Sequence, residues 1–296
     1  MKELVVISGK GGTGKTSIVA SFAALSENAV LADCDVDAAD LHLVLEPKVR
    51  QEEEFKGGKK AKIISAACTA CGKCEEVCRF NAVMRGGPPN HLVPETFCID
   101  PLACEGCGVC AHFCEDKAIK FREVVDGELF VSDTRCGPMV HARLQAGGEN
   151  TGKLVTRVRT VARELAEKEN RDLLIVDGSP GIGCPVISSV TGADLVLVVT
   201  EPTRSGVHDL ERVVQLTDFF KIHTVVCINK WDINPEITHQ IQEQGQKLKA
   251  NVVGKVPYDR AVTAAQLMKS SVVEYTGGAI AQEVNALWRN VVYQLG

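Results

Sequence analysis

The chain has 296 residues, 45% hydrophobic and 24% charged, with a formal net charge of −5. This is the composition of an ordinary soluble protein, long enough for one large α/β domain and a small module. No apolar run approaches the roughly 20 residues of a membrane span, and the acidic balance gives no support to nucleic-acid binding.

Short strand-like runs alternate with helical ones, the pattern of a mostly parallel sheet flanked by helices. A first strand, Leu4–Ser8, enters the run Gly9-Lys10-Gly11-Gly12-Thr13-Gly14-Lys15-Thr16, and a helix covers Lys15–Leu25. No leader pattern precedes that strand, so no cleaved segment is expected. The second strand, Ala29–Ala32, ends in Asp33-Cys34-Asp35-Val36-Asp37. The charged stretch Gln51–Lys60 reads as a linker into a cysteine-rich segment, whose halves are separated by a turn-rich tip at Arg85–Asn90. A hairpin is expected over Phe121–Val131, turning at Asp126-Gly127. Further strands are Leu173–Val176, Leu195–Thr200, Thr224–Ile228 and Asn251–Lys255. The remaining helices are Lys153–Glu169, Val207–Phe220, Pro235–Leu248, Ala261–Met268 and Ala279–Gln294. In the first of these, Leu154, Val155, Val158, Val161, Ala162 and Leu165 share one face. The larger domain is therefore expected to be discontinuous, 1–57 and 122–296, with 58–121 inserted.

The run from Gly9 to Thr16 fits G-x4-G-K-[ST], placed between a strand and a helix as phosphate binding requires. Gly9, Gly11, Gly12 and Gly14 let the backbone N–H groups of the loop, through Thr13 to Ser17, converge on phosphate oxygens at a helix N-terminus. Lys15 would neutralise the β/γ charge, and the Thr16 hydroxyl would bind Mg²⁺.

With Lys10 at its start, the loop resembles the deviant Walker A loop of the MinD/ParA/Mrp class of P-loop ATPases. The resemblance implies that Lys10 reaches across a nucleotide-sandwich dimer to the partner's phosphates, as an arginine finger does. It makes Asp33–Asp37 a switch I, with Asp35 orienting the attacking water, Asp37 the second choice, and Asp33 on the Mg²⁺ side. It also makes Leu173–Gly181 the Walker B strand and switch II. Asp177 would hold the Mg²⁺ water shell, and the Gly181 N–H would sense the γ-phosphate. Asn229-Lys230-Trp231-Asp232 fits the N-K-x-D pattern by which GTPases read guanine. The family resemblance instead favours ATP, with Asn229, Lys230, Pro257 and Tyr258 around the base; GTP stays open.

Thirteen cysteines in a secreted chain would suggest disulfides, but here eight have metal-ligand spacing and imply a reducing cytoplasm. Cys68, Cys71, Cys74, Cys78 and Cys104, Cys107, Cys110, Cys114 form two C-x2-C-x2-C-x3-C runs, offset by 36 residues. Zinc sites usually pair two C-x2-C knuckles instead. The runs resemble bacterial two-cluster ferredoxins, in which the fourth cysteine of each run serves the other cluster. That implies two 4Fe-4S clusters, one on Cys68, Cys71, Cys74 and Cys114, the other on Cys104, Cys107, Cys110 and Cys78. Arg79 and Glu115 stand where ferredoxins usually have proline. Seven acids against four bases between Cys68 and Ile119 point to low potentials. Of the other cysteines, Cys34 and Cys227 read as buried hydrophobes, Cys184 as structural, and Cys98 and Cys136 have no evident partner.

Over nearly its whole length the chain resembles MinD-superfamily ATPases with an inserted ferredoxin domain. The function this implies is a Mg-ATP-dependent iron–sulfur protein that gates electron transfer. It would act as a nucleotide-sandwich homodimer, or as a heterodimer with a related ATPase, alongside a redox or iron–sulfur partner protein. Rival readings are an Mrp-type cluster carrier and a MinD-like spatial switch whose clusters are structural. A membrane role is not expected: the terminal helix has one basic residue, Arg289, on its polar face, so packing on the sheet is expected.

Overall fold

The structure, a computed structural model, describes residues 1–145 and 152–296. In chain order its elements begin β1 (Lys2–Ile7), α1 (Lys15–Leu25), β2 (Ala29–Asp33), α2 (Leu41–Leu45), β3 (Lys48–Phe55) and β4 (Gly58–Ile63). There follow α3 (Lys73–Glu76), β5 (Val83–Gly87), β6 (Thr96–Ile99), α4 (Val109–His112), β7 (Ile119–Val124), β8 (Gly127–Thr134) and β9 (Gly137–Leu144). After them come α5 (Lys153–Lys168), β10 (Leu173–Asp177), α6 (Cys184–Val190), β11 (Leu195–Thr200), α7 (Arg204–Phe219) and β12 (Thr224–Asn229). The chain ends with α8 (Pro235–Lys247), β13 (Val252–Val256), α9 (Arg260–Leu267), α10 (Val272–Tyr275) and α11 (Ala279–Leu295).

The chain forms two compact units. One holds residues 1–53, 128–143 and 152–296; the other holds 54–127 with 144 and 145. In the first, nine strands run in the order β13-β12-β11-β1-β10-β2-β9-β8-β3. The pairings from β13 to β9 are parallel. Strands β2, β11 and β12 are buried along their whole length, the mark of a parallel sheet covered on both faces. Parallel strands bring their carboxyl ends to one edge, and that edge carries the loop after β1, Asp33 at the end of β2 and Asp177 at the end of β10. On one face Phe22 of α1 meets Trp288 of α11 with ring centroids 4.8 Å apart. Ile280, Val284, Leu287 and Val291 of α11 are buried in the same core, so the terminal helix packs on the sheet. Among the described residues, no helix is long and apolar enough to cross a membrane.

Two expectations need correction. The stretch Gln51–Lys60 is not a linker: it forms most of β3 and the start of β4. β3 is the last strand of the sheet and almost wholly exposed, so it has no apolar alternation to read; its charges are those that protect an edge. Arg50 pairs with Asp133, and Glu53 with Arg157. The expected hairpin at Asp126-Gly127 is likewise absent. β7 pairs with β4, whereas β8 lies in the large sheet.

Helix α5 departs from its expected face in an instructive way. Val161 and Leu165 are half-exposed, while Arg159 is buried. Its guanidinium bonds Glu3 of β1 and donates to the carbonyls of Ser188 (2.6 Å) and Thr191 (3.0 Å). Arg163 closes on the other Glu3 oxygen at 2.6 Å. Removing one partner of such a buried pair strands the other charge in a low-dielectric interior. Glu3→Ala is therefore expected to lower unfolding stability by roughly 3–5 kcal/mol, with Glu3→Leu/Arg159→Met recovering most of the loss. Denaturant titration checks this; a loss in Glu3→Ala below about 1 kcal/mol, the scale of a surface pair, contradicts it.

Candidate nucleotide and cysteine sites

The loop after β1 turns through two left-handed glycines, Gly12 (φ +80°) and Gly14 (φ +87°), before α1 begins. Side chains rarely adopt that conformation, which is why glycine is needed at both. A Cβ on Gly14 would also sit 2.3 Å from Asn229 Nδ2, whereas Gly11 and Gly12 face open space where phosphates need room. The loop borders a cavity of about 390 Å³ lined by Gly11 to Ser17, Asp35, Asn229, Lys230, Pro257 and Tyr258. Of the expected nucleotide residues, Gly9, Lys10, Asp33, Asp37, Asp177 and Gly181 do not line it. Pro180, within the expected switch II, does, and so do Ser8, Ala38, Asp40, Asp259, Val262, Thr263 and Gln266, which no motif had marked. Thr263 and Gln266 are three apart on α9, one helical face, and Gln266 donates to Ser17 Oγ at 2.9 Å.

Lys15 is the electrostatic centre. Its ammonium lies 2.5 Å from Asp177 Oδ1 and 3.2 Å from Asp35 Oδ2. Burial disfavours its charge, but Asp177 and then Asp35 outweigh that and raise its pKa. Burial, and then the neighbouring charge of Asp177, push the Asp33 carboxyl well above its usual range; burial also raises Asp35. Asp33 Oδ2, Asp177 Oδ2 and Thr13 Oγ1 are buried without a hydrogen-bond partner in the structure. Orphaned carboxylate oxygens fit a hydrated Mg²⁺, with Asp33 and Asp177 suited to its water shell and Thr16, which lines the cavity, as the expected direct oxygen ligand. Asp37 is exposed. The Gly181 N–H, expected at a phosphate, donates to Ser8 O at 2.8 Å.

Asn229 and its neighbours are already employed. The Asn229 amide donates to Thr13 O at 2.7 Å and accepts from Lys230 N at 3.1 Å. Lys230 Nζ bonds Gly12 O at 3.1 Å, and Asp232 Oδ1 accepts the Tyr258 N–H at 2.7 Å. These residues brace the phosphate loop and the Pro257-Tyr258 turn. Lys10 Nζ pairs with Glu201 at 2.7 Å.

The second unit is built on an internal repeat. Gly72 and Gly108, 36 residues apart, both start a short helix at positive φ, and Asn81 and Lys117 both have φ +51°. Cys68, Cys71, Cys74 and Cys114 line one cavity. Cys78, Cys104, Cys107 and Cys110 line another. Backbone N–H groups of Gly106 and Ala118 point at Cys104 Sγ (3.5 Å) and Cys114 Sγ (3.3 Å). Burial pushes the Cys74 thiol up to about 11. Among the described residues, no three His, Cys, Asp or Glu side chains converge tightly enough for a single metal ion. Thiolate sulfurs are soft ligands, suited to zinc, copper(I) or iron–sulfur centres. The rims differ: Lys73 and Asp116 border the first cavity, while their repeat equivalents Val109 and Phe80 border the second.

Cys34 and Cys227 are fully buried, and burial raises both thiols, Cys227 to about 12. Cys136 packs against the core and Cys184 is exposed at the start of α6.

Comparison with known proteins extends this picture. The chain is 35% identical over 235 residues to an uncharacterized protein of Methanocaldococcus jannaschii, covering 78% of this chain and 79% of that one. A shorter segment of 81 residues is 36% identical to one component of the ferredoxin:CoB-CoM heterodisulfide reductase of Methanosarcina acetivorans, covering 22% of this chain and 10% of that one. In fold it is similar to the MinD cell division protein of Aquifex aeolicus (TM-score 0.58, 19% identity, 99% and 97% covered). It is also similar to the septum site-determining protein MinD of Pyrococcus horikoshii complexed with Mg-ADP (TM-score 0.54, 15% identity, 98% and 95% covered). Residues 4–272 match the CobQ/CobB/MinD/ParA nucleotide binding domain, and the chain belongs to that family.

Proposed function

We propose that the protein is a Mg-ATP-hydrolysing iron–sulfur protein in which nucleotide state governs electron transfer through two 4Fe-4S clusters. The observation that carries the reading is one chain with both a Lys15–Asp177–Asp35 phosphate site and two separate cavities, each lined by four cysteines. Lys15 and the loop N–H groups hold the phosphates, Asp35 orients the attacking water, and Asp177 with Asp33 anchors hydration at the cation. Mg²⁺ adds positive charge at the β/γ-phosphates where negative charge builds up. Adenine is favoured over guanine because Asp232, the guanine reader of an N-K-x-D motif, holds Tyr258 N and does not line the cavity. Lys10 supplies the second cation from the other protomer of a homodimer or of a heterodimer with a related ATPase.

In the second unit, the crossed sets that the ferredoxin resemblance implies, with the fourth cysteine of each run joining the other run's first three, are supported by the lining of the two cavities. Clusters bound there take up and release single electrons. The Gly106 and Ala118 N–H groups at sulfur favour the more negative, reduced state, whereas the acidic surroundings oppose it. A cytoplasmic redox partner completes the reading. The carrier alternative lacks a C-x2-C pair outside residues 58–121.

Anaerobically prepared protein is expected to hold about eight iron and about eight acid-labile sulfide per chain, with a visible band bleached by dithionite. Cys74→Ser and Cys114→Ser should each lose the same cluster, read by iron content and EPR; loss of different clusters contradicts the crossed sets. Lys15→Ala is expected to abolish ATP binding in calorimetry. Lys10→Ala is expected to bind ATP and fail to hydrolyse it; hydrolysis at the wild-type rate contradicts its role in trans.

A further inference from the structure

Lys10 is not loose. Its ammonium lies 2.7 Å from Glu201 Oε1, 3.1 Å from Ser205 Oγ and 3.3 Å from Thr203 Oγ1. All three acceptors sit on fixed backbone: Glu201 directly follows β11, and Thr203 caps α7 by accepting the Gly206 N–H at 3.0 Å. A lysine side chain on the surface samples many rotamers; three anchored acceptors select one. That rotamer keeps Lys10 off the cavity that Lys15 borders. The other Glu201 oxygen takes Lys230 Nζ at 3.2 Å, and Lys230 in turn bonds Gly12 O of the phosphate loop at 3.1 Å. Burial alone would raise the Glu201 carboxyl, but the hydrogen bonds from Lys10 and Lys230 bring it below its ordinary value, so it is charged at neutral pH.

We propose that Glu201 is the positioning residue of Lys10, holding its ammonium back on its own chain and yielding it to the phosphates of a nucleotide bound by a second copy. This rests on the reading above that Lys10 acts in trans. The exchange is electrostatically downhill, since a polyphosphate carries several negative charges against one carboxylate. Glu201 is not stranded by it, because Lys230 stays as its counter-ion. The pair thus sets a threshold: Lys10 leaves only when a loaded second copy is in place. Removing the Glu201 charge lowers that threshold. Two such pairs break in a symmetric dimer, and a half-exposed pair is weak, so the shift in the association constant is about three- to twentyfold.

The experiment titrates protein concentration at saturating Mg-ATP and reads ATPase rate per chain, using the full chain with its clusters loaded. Glu201→Gln is expected to reach half-maximal rate at about three- to twentyfold lower protein concentration than wild type. Glu201→Asp, which keeps the charge on a shorter arm, should lie between them. A second readout is independent of turnover. In nucleotide-free protein, acetylation of Lys10 by an N-hydroxysuccinimide ester, followed by mass spectrometry, is compared with that of exposed Lys221. Glu201→Gln should raise the Lys10 rate about threefold or more and leave Lys221 unchanged. An unchanged Lys10 acetylation rate overturns the proposal, and so does a half-maximal concentration that stays put or rises. If instead the Lys10→Ala variant hydrolyses like wild type, the trans reading fails, while acetylation still reports on the Glu201 restraint.

Discussion

One buried ammonium organises the nucleotide unit. Asp33, Asp35 and Asp177 converge at the carboxyl edge of the sheet, almost wholly out of water. Three carboxylates cannot all ionise there unaided, and the raised pKa of Asp33 and Asp35 expresses that cost. Lys15 sits between Asp177 and Asp35 as the resident cation. Its position depends on the chain leaving β1 through Gly12 and Gly14 in a conformation that other residues rarely adopt, braced by Asn229 and Lys230 of the β12 end. The ends of β2 and β10 and the loop after β1 are thus referred to a single charge. A triphosphate entering the cavity competes with Asp177 and Asp35 for Lys15, and this links phosphate binding to the segments after β2 and β10.

How much of this was legible depends on where each residue draws its partners. β1, β2, β10, β11 and β12 could be read because a parallel sheet buried on both faces demands continuous apolar runs. β3 could not, since an exposed edge strand needs charge rather than alternation. Arg159 was hidden for the converse reason: it lies on an apolar stripe, and its partner Glu3 is 156 residues away. In the site, the glycine loop and the aspartates announce themselves because their geometry is local. Thr263, Gln266 and Glu201 carry no such signal. They reach the site through the packing of α9 and the end of β11, which no short motif encodes. Asn229, Lys230 and Asp232 fit a base-reading pattern in sequence; in the structure they also brace the phosphate loop and the Pro257-Tyr258 turn, and Asn229 and Lys230 line the cavity.

The cysteine unit obeys a different economy. Its buried cluster is small, with Cys68, Cys74 and Cys104 among a few aliphatic residues and Phe97, so apolar burial alone gives it little stability. In the proposed holoprotein, metal–thiolate bonds supply what such a core lacks. The repeat explains why two similar cavities arise from one short segment. Its departures, Lys73 against Val109 and Asp116 against Phe80, make the two surroundings chemically unlike. In chain order the unit follows Asp33–Asp37 after α2 and β3.

In the proposed function, nucleotide state and cluster chemistry are coupled. Potentiometric EPR titration of the clusters, with reduction kinetics, tests it most directly when run on nucleotide-free, Mg-ADP and non-hydrolysable Mg-ATP protein. Coupling free energies of about 1–3 kcal/mol predict changes of about 5- to 150-fold in electron-transfer rate or partner affinity between states. Identical midpoints, spectra and rates in all three states, with and without a redox partner, would contradict the account.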